Sequence, residues 1–184
     1  MNAPAHTVEA GAFRSVLGHF CTGVTVVTGM DGQQPAGFAC QSFAALSLDP
    51  PLVLFCPARA SRSWQAIGRG GRFCVNVLTA EQRDVSQVFG TGGTDKFAGL
   101  GWSSSPGGCP VLDDVLTWVD CGIADVFDGG DHRVVLGRVT ELGPVRDEVP
   151  LLFYRSKYTA TDPNAETRPA AWLEELLSWP RESF

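Results

Sequence analysis

The sequence predicts a mostly β fold with peripheral helices. Short β-branched or apolar runs alternate with turn signals along most of the chain, and no regular series of crossover helices separates them. This pattern favours a mostly antiparallel, barrel-like sheet over a parallel, doubly wound one. The chain has 184 residues, of which 44% are apolar. That length and composition suit one domain with its own core, and they exclude an intrinsically disordered chain.

The strands are predicted from β-branched and apolar runs that end at glycine, proline or aspartate. The first run, Val24-Thr25-Val26-Val27-Thr28, is β-branched throughout. A turn at Asp31-Gly32 and a break at Asp49-Pro50-Pro51 bound the runs that follow. The predicted strands are residues 24–28, 36–43, 44–48, 52–56, 73–78, 115–127, 133–140 and 151–154.

Helices are predicted from apolar periodicity and capping residues. Residues 7–20 form the first, because its apolar residues repeat at helical spacing. Ser61 or Ser63 caps a short helix over residues 64–67, and Thr79 with Gln82 fits the capping box of a helix that ends at Gly90. Pro169 opens an amphipathic C-terminal helix. The apolar faces of the two terminal helices are Phe13, Val16, Leu17 and Phe20, and Trp172, Leu173, Leu176 and Leu177.

Charge and cysteine content narrow the function classes. With 14 lysines and arginines against 20 aspartates and glutamates the net charge is −6, and no basic cluster points to nucleic acid. No apolar run reaches the roughly 18 residues of a membrane-spanning helix. The N-terminus does not resemble a signal peptide, and six widely spaced cysteines lack zinc-ligand spacing. We therefore expect a cytoplasmic protein with reduced cysteines and no metal site.

Three local patterns have the residues to bind a ligand. Gly37 to Phe43 places small and polar residues between apolar anchors, so that backbone amides could approach a flat molecule; an ordinary pair of edge strands is the alternative. Ser61-Arg62-Ser63-Trp64 could hold a phosphate at a helix start, or could be a plain N-cap with a solvated arginine. Gly129-Gly130-Asp131-His132 places a histidine beside a glycine turn, where it is either accessible to ligand or incidental.

Several nucleotide and catalytic motifs are missing. The sequence has no P-loop, no H-E-x-x-H and no G-x-S-x-G. The glycine clusters at 68–71 and 90–93 do not complete a Rossmann fingerprint. The glycine-, serine- and proline-rich stretch 91–110 predicts a long loop, and a loop of that length in a compact domain is usually functional.

Taken together, these segments resemble the short-chain flavin reductases, the NAD(P)H-dependent components of two-component monooxygenases. The resemblance covers about residues 10–160. It depends on the order and spacing of several short segments: Phe13-Arg14, residues 23–28, 37–51 and 73–78, Asp95-Lys96-Phe97, Gly130-Asp131-His132 and residues 150–154. Residues 37–43, 61–67 and 169–172 are further similar to reductases that serve steroid hydroxylases.

The resemblance implies an FMN-binding split β-barrel over residues 10–160, with an N-terminal tail at 1–9 and a helical extension at 161–184. It implies hydride transfer from a reduced nicotinamide cofactor to FMN or FAD, with reduced flavin leaving for a separate oxygenase, a steroid or aromatic hydroxylase. The sequence has no basic cluster near His132, apart from Arg133, and this favours NADH over NADPH. No side chain is expected to act as acid or base, since catalysis is mainly positioning. Homodimers are common in the family. A non-catalytic flavin-binding module on the same barrel is the alternative.

The resemblance also implies site residues. His132 and Tyr154 would lie at the nicotinamide side. The sequence departs from many relatives at Ala39-Cys40-Gln41, where they have Thr-Ala-Asn, so backbone contacts are expected to matter most there. The residues implied to bind flavin are Phe38, Ala39, Cys40, Gln41, Ser42, Ser47, Ser61, Arg62, Ser63 and Trp64.

Overall fold

A computed structural model describes residues 8–93 and 95–162, and strands make up most of its regular structure. The helices are α1 (Ala10–Leu17), α2 (Arg62–Gly70) and α3 (Arg83–Gly90), the last preceded by a 3₁₀ turn at Ala80–Gln82. The strands are β1 (Thr22–Gly23), β2 (Thr25–Asp31), β3 (Gln34–Cys40), β4 (Ala44–Leu48), β5 (Pro51–Phe55), β6 (Arg72–Val77), β7 (Trp102–Ser104), β8 (Pro110–Leu112), β9 (Thr117–Gly129), β10 (His132–Leu142), β11 (Leu151–Tyr154) and β12 (Lys157–Ala160).

Seven strands form one antiparallel sheet in the order β3-β2-β6-β9-β10-β5-β4. A three-stranded sheet, β1-β11-β12, and the β7-β8 hairpin complete the set, and their pairings are antiparallel as well. The prediction of a mostly β, mostly antiparallel fold with peripheral helices is therefore confirmed. Among the residues that the structure describes, no helix is long and apolar enough to cross a membrane.

The large sheet must be strongly curved, because its two outer strands follow one another in the chain. In a flat sheet of seven strands, β3 and β4 would lie about 29 Å apart. The link from Cys40 to Ala44 can span at most about 14 Å. The sheet therefore bends until its edges nearly meet. The edges do not pair with each other, and in the part of the chain described here no closed barrel forms.

Side chains from the two faces of this sheet enter two separate cores. Val26 and Cys74 belong to one core, whereas Val27 and Val75, their neighbours along the same strands, belong to the other. This alternation is the period of two that a strand imposes on its side chains. Four of the six cysteines are buried, and none of the six is paired in a disulfide.

Most predicted element positions are confirmed, with a few differences, among them the short strand β1, which was not predicted. The loop predicted at 91–110 contains β7 and the start of β8, and β12 was not predicted. The strand predicted at 36–43 ends at Cys40, where the chain turns across the gap between the sheet edges. The helix predicted at 7–20 is shortened to α1, and no residue of it is buried. The predicted C-terminal helix lies outside the described residues.

Candidate active site

A cleft runs along the outer edge of β3. It consists of two adjoining cavities, of about 980 and 660 Å³. The larger is bounded by the link after β3, the chain that follows β5, and His132; the smaller by the start of α2 and the loop after α3. Both cavities are lined by Phe38, Ala39, Ser61, Gly90 and Thr91.

The backbone of β3 presents hydrogen-bonding groups to this cleft. The carbonyl of Val24, just before β2, accepts a hydrogen bond from the amide of Leu78, on the β6 side. In an antiparallel sheet the backbone groups of successive residues point to alternate sides, so Val26 and Thr28 also point towards β6 and away from β3. Their partners in β3, Ala39 and Gly37, therefore point their own backbone groups outward, away from β2. The Gly37 carbonyl accepts a hydrogen bond from Lys96 Nζ at 3.1 Å. The amide and carbonyl of Ala39 remain available to a ligand at the strand edge.

The link between the sheet edges is held by Ser42. Its Oγ accepts from the backbone amide of Cys56 at 2.8 Å and lies 3.3 Å from the Sγ of Cys40. The loop that leads from β3 to β4 is thereby fixed to the end of β5. Ser42 and Gln41 both line the larger cavity beside Ala39.

The start of α2 forms a positively charged corner of the smaller cavity. Ser61 is the N-cap, and its Oγ accepts from the amide of Trp64 at 3.2 Å. The amides of Arg62 and Ser63 have no partner within the helix, because they belong to its first turn. Arg62, Ser63 and Lys96 all line this cavity. Burial, and then the nearby Arg62, lower the pKa of Lys96.

Lys96 also fixes the glycine-rich loop against β3. Its Nζ donates to the carbonyl of Phe89 at 2.9 Å, near the end of α3, as well as to Gly37. Position 37 requires glycine, because a Cβ there would lie 2.6 Å from the Phe89 ring. The loop from Gly90 to Gly93 therefore follows a tightly packed junction of helix and strand.

His132 lies at the other end of the larger cavity. It forms an isolated β-bridge with Ala58, and its Nδ1 lies 2.8 Å from a carboxylate oxygen of Asp131. The hydrogen bond from His132 lowers the pKa of Asp131. Phe153 and Tyr158 form the facing wall, their rings 5.4 Å apart. The Tyr158 hydroxyl is hydrogen-bonded to Ser86 at 3.0 Å.

The structure brings most of the predicted site residues together. The larger cavity is lined by Phe38, Ala39, Cys40, Gln41, Ser42, Ser61 and His132, and the smaller by Phe38, Ala39, Ser61, Arg62 and Ser63.

Three predicted residues do not line the cleft. Trp64 is 7% exposed and packs in the core against Phe55, at 5.7 Å between rings. Tyr154 follows Phe153 in β11, so its side chain points to the opposite face of that strand, towards His19. Ser47 lies in β4, the strand at the other edge of the gap, and is in the lining of neither cavity. None of these three side chains lines either cavity, so their predicted part in ligand binding stays a prediction.

Sequence reasoning also missed several residues of the cleft. Lys96, although part of a motif that carried the resemblance, was given no role. The length of the stretch 91–110 and the two glycine-rich clusters indicated a functional loop, but not which side chain anchors it. Phe153 and Tyr158 depend on the pairing of β11 with β12, which was not predicted. The remaining missed residues include Ser86, Gln87, Gly90 and Thr91.

The chain belongs to the flavin reductase like domain family, which it matches over residues 17–162. It is 55% identical, over 94% of its length and 88% of the relative's, to the reductase subunit HsaB of a flavin-dependent monooxygenase from Rhodococcus jostii. It is 56% identical to the reductase subunit HsaB from Mycobacterium tuberculosis, over 92% and 91% of the two chains.

Solved structures share this fold. A nitrilotriacetate monooxygenase component B homologue from Mycobacterium thermoresistibile superposes with a TM-score of 0.86, at 55% identity over 90% of this chain and 93% of the other. The NADH:FAD oxidoreductase SgcE6 of Streptomyces globisporus, in complex with NAD and FAD fragments, superposes with a TM-score of 0.81. It is 31% identical over 88% of this chain and 100% of that one.

Proposed function

We propose that this protein is an NADH:flavin oxidoreductase that reduces FMN or FAD and supplies reduced flavin to a separate oxygenase. The observation that carries the proposal is the outward-facing backbone edge at Ala39, set between two adjoining cavities. The relatives named above as reductase subunits and as an NADH:FAD oxidoreductase support it. The oxygenase that we propose as partner is a steroid or aromatic hydroxylase.

The residues of the cleft fit a flavin. Its flat ring carries hydrogen-bonding atoms along one edge, which the amide and carbonyl of Ala39 would meet, while Phe38 offers an apolar contact. Its phosphate would bind at the start of α2, where Arg62, Ser63 and Lys96 combine positive charge with free amides. Flavin bound there would supply the ring that accepts hydride from a reduced nicotinamide.

The chain's own residues would act by positioning. Amides at the β3 edge would stabilise the negative charge that a reduced ring carries. His132 and the aromatic wall of Phe153 and Tyr158 border the space where a nicotinamide would lie. Because the reaction needs the two rings in contact at about 3–3.5 Å, alignment by these walls accounts for catalysis without an acid or a base.

We infer a preference for NADH over NADPH from the charges near His132. Two arginines, Arg59 and Arg133, lie close to it in the structure, but both pair with the carboxylate of Asp128. A 2′-phosphate would have to compete with that carboxylate for them. The space around Ala39 is large enough for either FMN or FAD, and we propose that both are accepted.

We propose further that residues 10–160 form a split β-barrel, with residues 1–9 as a tail and 161–184 as a helical extension, and that two copies form a homodimer. The two outer edges of the sheet approach each other without pairing, which suits a barrel that is open on one side. Phe13 and Phe20 are 55% and 76% exposed, so the region of α1 offers an apolar surface for a second copy. Free cysteines and the use of NADH suit the cytoplasm.

Steady-state kinetics that cross FMN and FAD with NADH and NADPH test the proposal. We expect NADH oxidation that depends on added flavin, with a higher kcat/KM for NADH than for NADPH. Flavin binding without NADH oxidation would instead indicate a binding module. A protein that neither binds flavin nor oxidises NADH would contradict the proposal altogether.

A further inference from the structure

Two cysteines flank the gap between the outer edges of the large sheet. Cys40 is the last residue of β3, and Cys56 is the first residue after β5. Ser42 lies between them, with its Oγ 3.3 Å from the Sγ of Cys40 and 2.8 Å from the amide nitrogen of Cys56. Through that hydroxyl, the Cys40 sulfur lies within about 6 Å of the Cys56 backbone. Both cysteines line the larger cavity.

The two thiols differ in their access to solvent. Cys56 is partly exposed, whereas Cys40 is 5% exposed. Burial raises the pKa of the Cys40 thiol, against the smaller opposing effect of its contact with Ser42. Cys56 is therefore the thiol that a small oxidant in the cleft meets first, and Cys40 is the neighbour that can react afterwards. The other buried cysteines do not line this cavity, and Cys21 is exposed outside it.

We propose that Cys40 and Cys56 form a reversible disulfide when hydrogen peroxide enters the cleft. The sulfur of Cys56 attacks one peroxide oxygen, the O–O bond breaks, and water leaves with the thiol proton, which gives a sulfenic acid. The Cys40 sulfur then attacks the Cys56 sulfur and forms the S–S bond. The sulfenic hydroxyl departs with the Cys40 proton as a second water. Two thiols are oxidised by two electrons, and one peroxide is reduced to two waters.

The disulfide would act on the proposed flavin site, so its effect on activity rests on the proposed function. The bond would tie the end of β3 to the end of β5 and displace Ser42 from its place between them. The β3 edge that carries Ala39 would move with it. Hydrogen peroxide forms whenever reduced flavin passes its electrons to dioxygen, so reductase turnover without an oxygenase would supply the oxidant. The pair would thus reduce the output of a reductase that wastes NADH.

The test treats the full-length protein with hydrogen peroxide and identifies the cross-link by peptide mass spectrometry. We expect a peptide pair joined through Cys40 and Cys56, with the loss of two hydrogen atoms. We expect flavin affinity to fall by about tenfold, the equivalent of one or two hydrogen bonds, and to recover on reduction with a thiol. Each sample is compared with its own untreated protein. The mass readout does not depend on activity.

Three variants make the test specific. Cys56→Ser and Cys40→Ala should each abolish the cross-link, and circular dichroism shows whether each variant is folded. Cys21→Ser, the matched control outside the cleft, should form the cross-link as the wild type does. Sulfinic acid at Cys56 without a cross-link, or a cross-link that leaves flavin affinity unchanged, would overturn the inference. Untreated protein that neither binds flavin nor oxidises NADH would instead overturn the proposed function.

Discussion

Replacing Ala39 with proline tests the role of the β3 backbone in flavin binding. Proline has no amide hydrogen, so Ala39→Pro removes the donor that faces the cleft. The pairing of β3 with β2 uses the backbone groups of Phe38 and Cys40 and should survive. Pro35, two positions from Gly37 on the same outward-facing edge, shows that this edge already accepts proline.

The expected loss follows from one hydrogen bond to the oxidised, neutral ring. Such a bond is worth about 0.5–1.5 kcal/mol, which corresponds to a rise in the flavin Kd of about 2- to 13-fold. Fluorescence titration with FMN measures the Kd, and thermal unfolding should show nearly wild-type stability. Ala39→Gly, which keeps the amide, should bind almost normally.

Ala36→Pro is the matched control for the same strand. Ala36 pairs inward with Gly29, so proline there removes a ladder hydrogen bond and should lower the free energy of unfolding by about 3 kcal/mol or more. If folded Ala39→Pro bound FMN with wild-type affinity, the backbone edge would not be the flavin contact. If Ala39→Pro lost as much stability as Ala36→Pro, the assignment of Ala39 to the outward-facing side of β3 would be wrong.

Four other changes have defined outcomes. Lys96→Met removes donors to two carbonyls and a positive charge beside the proposed phosphate site, and should raise the flavin Kd by about tenfold in the same titration. Gly37→Ala places a Cβ against Phe89, and should lower the free energy of unfolding in urea by about 1–3 kcal/mol. His132→Ala should raise the KM for NADH by about fivefold and should leave the flavin Kd almost unchanged. Burial raises the pKa of Cys109 to about 12, so the folded state keeps a proton that the unfolded chain loses near pH 9. Between those values stability should fall as pH rises, by about 1.4 kcal/mol per pH unit for this thiol, and Cys109→Ala should flatten the decline by that amount.

These four predictions have controls on the same chain. Lys157→Met, on β12, should leave the flavin Kd unchanged. If both lysine variants raised the Kd equally, Lys96 would have no specific part in flavin binding. A Cβ on Gly122 would meet nothing within 4 Å, so Gly122→Ala should cost less stability than Gly37→Ala, and the reverse order would contradict the packing argument. If His132→Ala weakened NADH binding and flavin binding equally, His132 would not lie at the nicotinamide side of the cleft. Unchanged pH dependence in Cys109→Ala would refute the raised pKa.

The sequence predicted the fold wherever a signal was local. The β-branched run at 24–28, the turn at Asp31-Gly32 and the Ser61 cap all depend on neighbouring residues, and all are confirmed. The hairpin at β7 and the strand β12 were missed, because runs of three or four residues are too short for a strand pattern to stand out from a loop.

The site residues that lie in one continuous segment could be predicted from the sequence. Those brought to the cleft by the pairing of distant segments could not. Residues 38–42 follow one strand into the gap between the sheet edges, so their segment could be read from the sequence. Which of Phe153 and Tyr154 faces the cleft depends on the face that β11 turns inward, a choice of one residue in register. Lys96 reaches Gly37 from a distant loop, and no local pattern reports such a contact.

The central claim is that a cleft along the β3 edge aligns a flavin with reduced nicotinamide. Rapid anaerobic mixing of NADH with the protein and FMN, followed through the visible absorbance of oxidised flavin, tests it most directly. We predict bleaching far faster than in the same mixture without protein, and a rate that Ala39→Pro lowers at subsaturating flavin. Bleaching at the protein-free rate, with native protein in excess over flavin, would contradict the claim.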